Sequence, residues 1–262
     1  MPYKYPSLRT TPPVAGYYAR LDTGAAADAQ FGSSAGTLSA GTTRANNGGL
    51  CYRHNGTTSG ITTTYTTAIG TSNYTLSSWF NVANSNQFGM IFCKDSQAAA
   101  AFTQASTLIS NASANGSGRR VSGIDFRTSG NIIATPTDGT YTDANWHHVA
   151  LRRQTITGTT TLSLWIDGTQ ISSATVTLRD LNNTNALKIG VGDGPSLRLT
   201  GDTDDHLLWL AAMSNADIGY LASGRGAIYQ QIAGGSSPIN GQSLIRPASA
   251  AQQQLLIQGA SA

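Results

Sequence analysis

The chain of 262 residues has no glutamate; all thirteen of its anionic side chains are Asp. Lysine is scarce as well, so thirteen of its sixteen cations are Arg, and charged residues make up only 11% of the whole. Each shortage excludes something. Without Glu, every mechanism that needs a catalytic glutamate is closed. Helical bundles and coiled coils lean on Glu, Lys and Leu, so this composition argues against them. A net charge of +3, with Arg side by side only at Arg119-Arg120 and Arg152-Arg153, is too weak to imply a nucleic-acid partner. Two cysteines and four histidines without tight spacing make no zinc site. Cys51 and Cys93 lie in apolar runs, Leu50-Cys51-Tyr52 and Ile91-Phe92-Cys93, and read as two buried free thiols in preference to the alternative, a disulfide. The longest apolar stretches, such as Leu207 to Met213, fall far short of a bilayer span, so no membrane association is expected. The opening residues, Met1 to Pro6, contain no apolar h-region, which leads to the expectation of synthesis in a cytoplasm without a signal peptide.

What the chain does have is Thr, Ser, Gly and Asn, interleaved with apolar residues at a period of two. Tyr74, Leu76, Phe80 and Val82 fall on one face of a strand, and Leu162, Leu164 and Ile166 on one face of another. The second run meets Asp167-Gly168, a two-residue hairpin turn, and returns through Thr169-Gln170-Ile171. Further strands are predicted at Gly89–Lys94, Val121–Arg127, Trp146–Arg152, Ala174–Leu178 and Leu187–Val191. One helical turn is expected at Ser214-Asn215-Ala216-Asp217, with Ser as its cap and an early Asp. Many short antiparallel strands imply an all-β sandwich, with Leu164 in its core and with Trp79 and Trp146 substantially buried.

Both ends of the chain differ from its middle. Pro2, Pro6, Pro12 and Pro13 punctuate an N-terminal segment that also carries Tyr3, Tyr5, Tyr17 and Tyr18. Proline at this density prevents regular pairing, while tyrosine offers apolar area with a polar tip. The reading is an extended arm and small-residue linker over 1–45, a sandwich over 46–225 and a C-terminal tail over 226–262. The four tyrosines are the candidate docking residues for a partner protein or for copies of this chain.

The strand segments, in this order, resemble the concanavalin A-like superfamily, most closely its laminin-G-like jelly rolls. The resemblance rests on Leu50 to Gly56 as an opening strand, Tyr74 to Phe80 as a strand with Trp, and Asn145-Trp146-His147-His148-Val149-Ala150. It rests also on Leu164-Trp165-Ile166-Asp167-Gly168 and on Thr203-Asp204-Asp205-His206 leading into Ala212-Met213-Ser214. It implies a two-sheet antiparallel jelly roll. Hydrolases of that superfamily place two Glu on one strand, working across a glycosidic bond. No Glu exists here, so no catalytic residue is assigned and an enzyme is not expected.

The resemblance also frames the candidate site residues. Some laminin-G-like domains bind calcium at one edge, and calcium needs converging oxygens. Among the clustered acids Asp193, Asp202, Asp204 and Asp205, the pair Asp193 and Asp204 could face one another and hold that ion. Alternatively, Asp204 bonds a neighbouring strand end or an Arg. Trp165 lies on the polar side of its hairpin, where it either stacks on a sugar ring or covers a sheet face or a partner. His148 corresponds to the family's framework histidine, and His147, adjacent on one strand, faces the other way. Standalone versions of this sandwich resemble accessory structural proteins of tailed bacteriophages. The resemblance thus implies a virion protein on capsid or tail, docked to other virion proteins by its ends and displaying a lectin-like domain. The alternative is an adhesin that binds host-surface glycans.

Overall fold

The computed structural model describes residues 16–20, 28–31, 36–38, 42–46, 50–83, 89–94, 105–110, 120–126, 131–134, 141–182, 184–192 and 197–225. The first strands are β1 (Gly16–Arg20), β2 (Asp28–Phe31), β3 (Gly36–Leu38), β4 (Thr42–Asn46), β5 (Leu50–Asn55) and β6 (Ile61–Thr63). The middle of the chain supplies β7 (Tyr74–Asn81), β8 (Gly89–Cys93), β9 (Ser106–Ser110), β10 (Arg120–Phe126) and β11 (Asn131–Ala134). Then come β12 (Trp146–Ile156), β13 (Thr159–Ile166), β14 (Thr169–Val176), β15 (Lys188–Ile189), β16 (Thr200–Trp209) and the helix α1 (Asn215–Leu221). They form two antiparallel sheets, an all-β jelly-roll sandwich. The first runs β14-β13-β12-β7-β16-β1-β2, with β5 on β16 and β4 on β5; the second runs β11-β10-β9-β8-β15-β6-β3. Among the described residues, no helix is long and apolar enough to cross a membrane.

Strand β16 organises the first sheet. One edge pairs with β7, and the other is shared: β5 meets Thr200 to Thr203, and β1 meets His206 to Trp209. A bulge between Asp204 and Leu207, with Asp205 at φ 46°, separates the two halves. Residues 16–46 are therefore not all a detached arm. The prolines that prevent pairing end at Pro13, and from Gly16 onward the backbone is free to satisfy the open edge of β16. Strands β1 to β4 all join the sheets, so described residues from Gly16 onward contribute to the sandwich ahead of residue 46.

The hairpins follow the turn chemistry. Asp167 and Gly168 both take positive φ (51° and 79°), as a two-residue turn between twisted strands requires. Gly168 has a second reason to be glycine, since a Cβ there would come within 3.2 Å of Gly219 Cα in α1. Thr157-Gly158 closes the β12–β13 hairpin in the same way (46° and 81°), a turn without the Asn-Gly or Asp-Gly signature. Thr169–Ile171 and Ala174–Leu178, two separate expectations, belong to the one strand β14, which ends at Val176.

The main core lies between the sheets and contains Tyr74, Leu76, Phe80 and Val82 from β7 and its end. Leu162, Leu164 and Ile166 from β13 lie with them, as the alternation predicts. A second cluster covers part of the outer face of the first sheet, where Met213, Ile218 and Leu221 pack on Ala150, Trp165, Leu207 and Trp209. Helix α1 is held there by a reciprocal capping box between Ser214 and Asp217. Both cysteines are buried thiols outside any disulfide, and burial, reinforced by Asp202 and Asp204, pushes the Cys51 thiol up to about 11. Trp79 and Trp146 are only half-buried, because both point to the outer face of the first sheet.

The core also contains a charge. Arg153, fully buried on β12, donates to Ser72 O (2.6 and 3.1 Å), Gly70 O (2.7 Å) and Arg179 O (3.0 Å), and to Asp125 Oδ1 of β10 (3.3 Å). Tyr74 donates to the same carboxylate oxygen at 2.9 Å and lies under the guanidinium at 5.0 Å. Replacing Arg153 with Met would leave Asp125 buried without its cation and should destabilise the domain by about 3–5 kcal/mol. Leu164→Ala should cost about 2–5 kcal/mol through the cavity it leaves. Urea unfolding of both variants checks the two figures; an unmoved midpoint for either would show that its side chain has been placed wrongly.

Candidate functional site

The residues singled out from sequence do not converge. Trp165 is buried, packed with Leu207, Met213 and the helix; its Nε1 donates to Ser163 Oγ (3.0 Å) and the Arg152 guanidinium lies 5.0 Å from its ring centre. The ring covers a sheet face and has no open side for a sugar, which corrects the stacking expectation. Tyr17 and Tyr18 pair with Leu208 and Leu207 within β1, so their backbone belongs to the sheet rather than to an arm. Tyr3, Tyr5 and Asp193 lie outside the described residues. Asp204 is buried, with Oδ1 accepting from Asp205 N (2.9 Å) and Oδ2 facing Arg225 Nη1 at 3.5 Å. A carboxylate already matched by a guanidinium is a poor fit for a divalent cation. Among the described residues no three His, Cys or Asp side chains are grouped as a metal would need.

The four histidines divide by environment. His54, His148 and His206 are buried and hydrogen-bonded to hydroxyls: His54 and His206 to Thr203 Oγ1 (2.9 and 3.1 Å), His206 also to Ser78 (2.9 Å), and His148 to Ser77 (2.7 Å). Burial lowers His54 and His148 to about 4 and His206 well below its ordinary value. The Ser77–His148 contact has the length of a nucleophile–base pair, yet both groups are closed off and so acidic an imidazole is a weak base at neutral pH. His147 differs. It bridges Asp167 Oδ2 (2.8 Å) and Asp143 Oδ1 (3.0 Å), and although burial opposes its charge, the two carboxylates outweigh that and raise its pKa.

The part of the first sheet's outer face beyond α1 carries a row of polar and aromatic side chains. Arg53, Asp202, Asn81 and Trp146 stand directly opposite one another on the adjacent strands β5, β16, β7 and β12. Tyr52 and Phe80, next in the chain to Arg53 and Asn81, and Val149, an odd number of residues on from Trp146, point into the core, so this row points out. Arg53 holds Asp202 in a two-pronged pair, both bonds 2.8 Å, while more than half of its own side chain is exposed (54%). Asn81 donates through Nδ2 to Ala144 O (2.7 Å). Arg225 lies over the Trp146 ring at 4.1 Å, at the point where the chain leaves α1. The sequence does not announce this row, because its members come from positions 53, 81, 146 and 202 and have no common spacing.

Comparison with known proteins agrees with the fold. Residues 55–219 match the family described as the concanavalin A-like lectin/glucanases superfamily. No curated protein matches the chain by sequence. Among solved structures, the binding domain of paraclostridial mosquitocidal protein 1 is similar at 14% identity (TM-score 0.61), over 79% of this chain and 51% of that one. Domain 4 of AbnA, an extracellular arabinanase from Geobacillus stearothermophilus, solved with arabinotriose, is similar at 14% identity (TM-score 0.57), over 79% and 97%. The botulinum neurotoxin serotype D binding domain, solved with N-acetylneuraminic acid, is similar at 14% identity (TM-score 0.58), over 79% and 50%. The chain thus spans about half the length of the two toxin fragments, and at such identity the likeness establishes the fold.

The buried histidines make stability depend on pH. Above 6.5 they are neutral in both folded and unfolded states, and their full contribution is present. Below 6.5 the unfolded chain takes up protons that folded His54 and His148 refuse until about pH 4. Stability should therefore fall by up to about 1.4 kcal/mol per pH unit for each of these histidines. His147 works in the opposite sense, its contribution being present below 6.5 and lost as pH rises through its raised value. Urea midpoints from pH 8 to pH 4 should decline mainly below 6.5; a flat profile down to pH 4 would contradict the buried neutral assignment.

Proposed function

Because this chain belongs to the concanavalin A-like lectin/glucanase superfamily, we propose that it is a non-catalytic, glycan-binding module carried as an accessory structural protein of a tailed-bacteriophage particle. The observation that carries the non-catalytic part is the state of its carboxylates. Retaining and inverting glycosidases alike need two carboxyl groups across the scissile bond, one of them serving as acid. Here Asp202 is tied to Arg53, Asp204 faces Arg225, Asp125 is locked with Arg153 and Tyr74, and Asp217 caps α1. Asp143 and Asp167 both bind His147. The chain has no Glu, and the partly exposed Asp143 and Asp167 are held in the charged form by their hydrogen bonds, so neither is available as the acid.

The glycan part is supported by two of the similar folds, one solved with arabinotriose and one with N-acetylneuraminic acid. The virion part is supported by the composition and by the two ends of the chain. Residues 1–15, with Tyr3 and Tyr5, and residues 226–262 are the segments proposed to dock it on capsid or tail proteins or on its own copies. The second reading, an adhesin for host-surface glycans outside any virion, shares the glycan part alone.

Mass spectrometry of purified virions should detect this polypeptide. Removing residues 1–15 should spare the fold, since among the described residues the pairing to β16 starts at Gly16, while greatly weakening incorporation into particles. Full occupancy of particles by the truncated protein would remove the docking role, and absence of the polypeptide from virions would leave the adhesin.

A further inference from the structure

Under the end of α1, on the outer face of the first sheet, lies a cavity of about 10 Å³ lined by Ser77, Trp79, His148, Asp205, Leu207 and Leu221. That is room for one water molecule and for nothing larger. All of these residues except Trp79 are buried. Small as it is, the cavity brings together a hydroxyl, an imidazole and a carboxylate.

The carboxylate is there because of the bulge in β16. Thr203 stands opposite Phe80, and His206 packs against Phe92 and Tyr52, so both face the core, 3.1 Å apart through Thr203 Oγ1 and His206 Nε2. Strict alternation would put two residues three apart on opposite faces. The bulge between Asp204 and Leu207 absorbs the extra residue and leaves Asp205 facing outward, beside Leu207 in the cavity wall. Asp205 stands there at φ 46°, a left-handed conformation that residues other than glycine adopt only when their surroundings hold them in it.

Counting protons shows what the cavity has to offer. Ser77 Oγ and His148 Nε2 are 2.7 Å apart, so one donates to the other. Burial lowers His148 to about 4, and at neutral pH its ring carries a single N–H. If Ser77 donated to Nε2, that N–H would sit on Nδ1, which is buried and has no hydrogen-bond partner among the described residues. A buried N–H without an acceptor is the more costly arrangement. If Nε2–H donates to Ser77 instead, Nδ1 keeps only a lone pair, and the hydroxyl hydrogen of Ser77 turns to another acceptor. Among the described residues its side chain bonds to His148 alone, so that acceptor belongs in the cavity.

We propose that the cavity binds one integral water molecule, which accepts from the Ser77 hydroxyl and donates to the Asp205 carboxylate and to Leu221 O. Three hydrogen bonds are the usual number for a buried water. An ionised carboxylate accepts several bonds at once, so Asp205 serves the water along with its other partners. Leu221 O, among the last carbonyls of α1, accepts from Trp79 Nε1 at 3.3 Å and has a second lone pair. The water thus joins β7, β16 and the end of α1, and it fixes His148 as the Nε2–H tautomer.

Two measurements on the full chain test this. Crystals soaked in a rubidium salt, at a resolution that shows ordered water, should carry one density peak within hydrogen-bonding distance of Ser77 Oγ and an Asp205 carboxylate oxygen, without anomalous signal. Long-range proton–nitrogen NMR correlations of the His148 ring at neutral pH should place its proton on Nε2. An anomalous rubidium peak in the cavity would make the occupant a monovalent cation and overturn the proposal. A dry cavity at that resolution overturns it too. So does a proton on Nδ1, because Ser77 would then donate to the ring and have no hydrogen left for a water.

Discussion

One guanidinium ties the sandwich together. Arg153 sits on β12 in the first sheet, reaches Asp125 on β10 in the second, and donates to the carbonyls of Gly70, Ser72 and Arg179 in two connecting segments. A charge placed at such depth is tolerated only when every donor is met, since the desolvation it suffers is recovered through hydrogen bonds and an opposite charge. The geometry that satisfies Arg153 therefore constrains the spacing of both sheets and the path of both segments. Tyr74, beneath the guanidinium and bonded to the same carboxylate, extends the constraint to β7. Hydrophobic contact alone would leave the two sheets free to slide; a fully bonded Arg–Asp–Tyr group fixes their relation.

The same economy of charge governs the rest of the interior. Ser77, Ser78 and Thr203 pair with three buried histidines, which the surroundings keep neutral. Between the sheets, His206 lies against Phe92 (5.2 Å) and Tyr52 (6.3 Å), so that polar and aromatic groups fill the space together. Lys94, fully buried, donates through Nζ to Asn185 O. A chain with few charges has placed several of them inside, each with a specific partner, and this gives the packing a unique register.

The outer face of the first sheet is divided by the helix. Where α1 lies, Trp165, Leu207 and Trp209 are covered, and Arg152 is bonded to Met213 O and Asn215 Oδ1, both at 2.8 Å. Trp79 marks the border, its Nε1 donating to Leu221 O at 3.3 Å. Past that border stand polar side chains at strand spacing, with Asp202 buried and its partner Arg53 exposed. Two tryptophans that alternation places on one face thus have different neighbours: Trp165 packs with α1, and half-buried Trp146 lies against the Arg225 guanidinium.

Much of this was legible in the residues themselves. The period of two in β7 and β13 assigned Leu76, Phe80, Leu162 and Leu164 to the core, Asp167-Gly168 marked a turn, and Ser214 with Asp217 marked the start of a helix. These are local signals, carried by side-chain alternation and backbone preference within a few positions. Residues 16–19 and 42–45, read from sequence as part of the arm and linker, pair with β16 and β5, and nothing within them announces that those edges are there to be paired. The burial of Trp165 depends on a helix some fifty positions later, and Asp204 faces a guanidinium, that of Arg225, which comes from beyond that helix. The row from Arg53 to Trp146 exists only because four strands distant in sequence lie in register. Sequence alone determined which residues face the core and where the chain turns, since both are set by neighbours along the backbone. Only the tertiary structure decided which outward-facing side chains stay open, because that depends on which distant segment comes to rest on them.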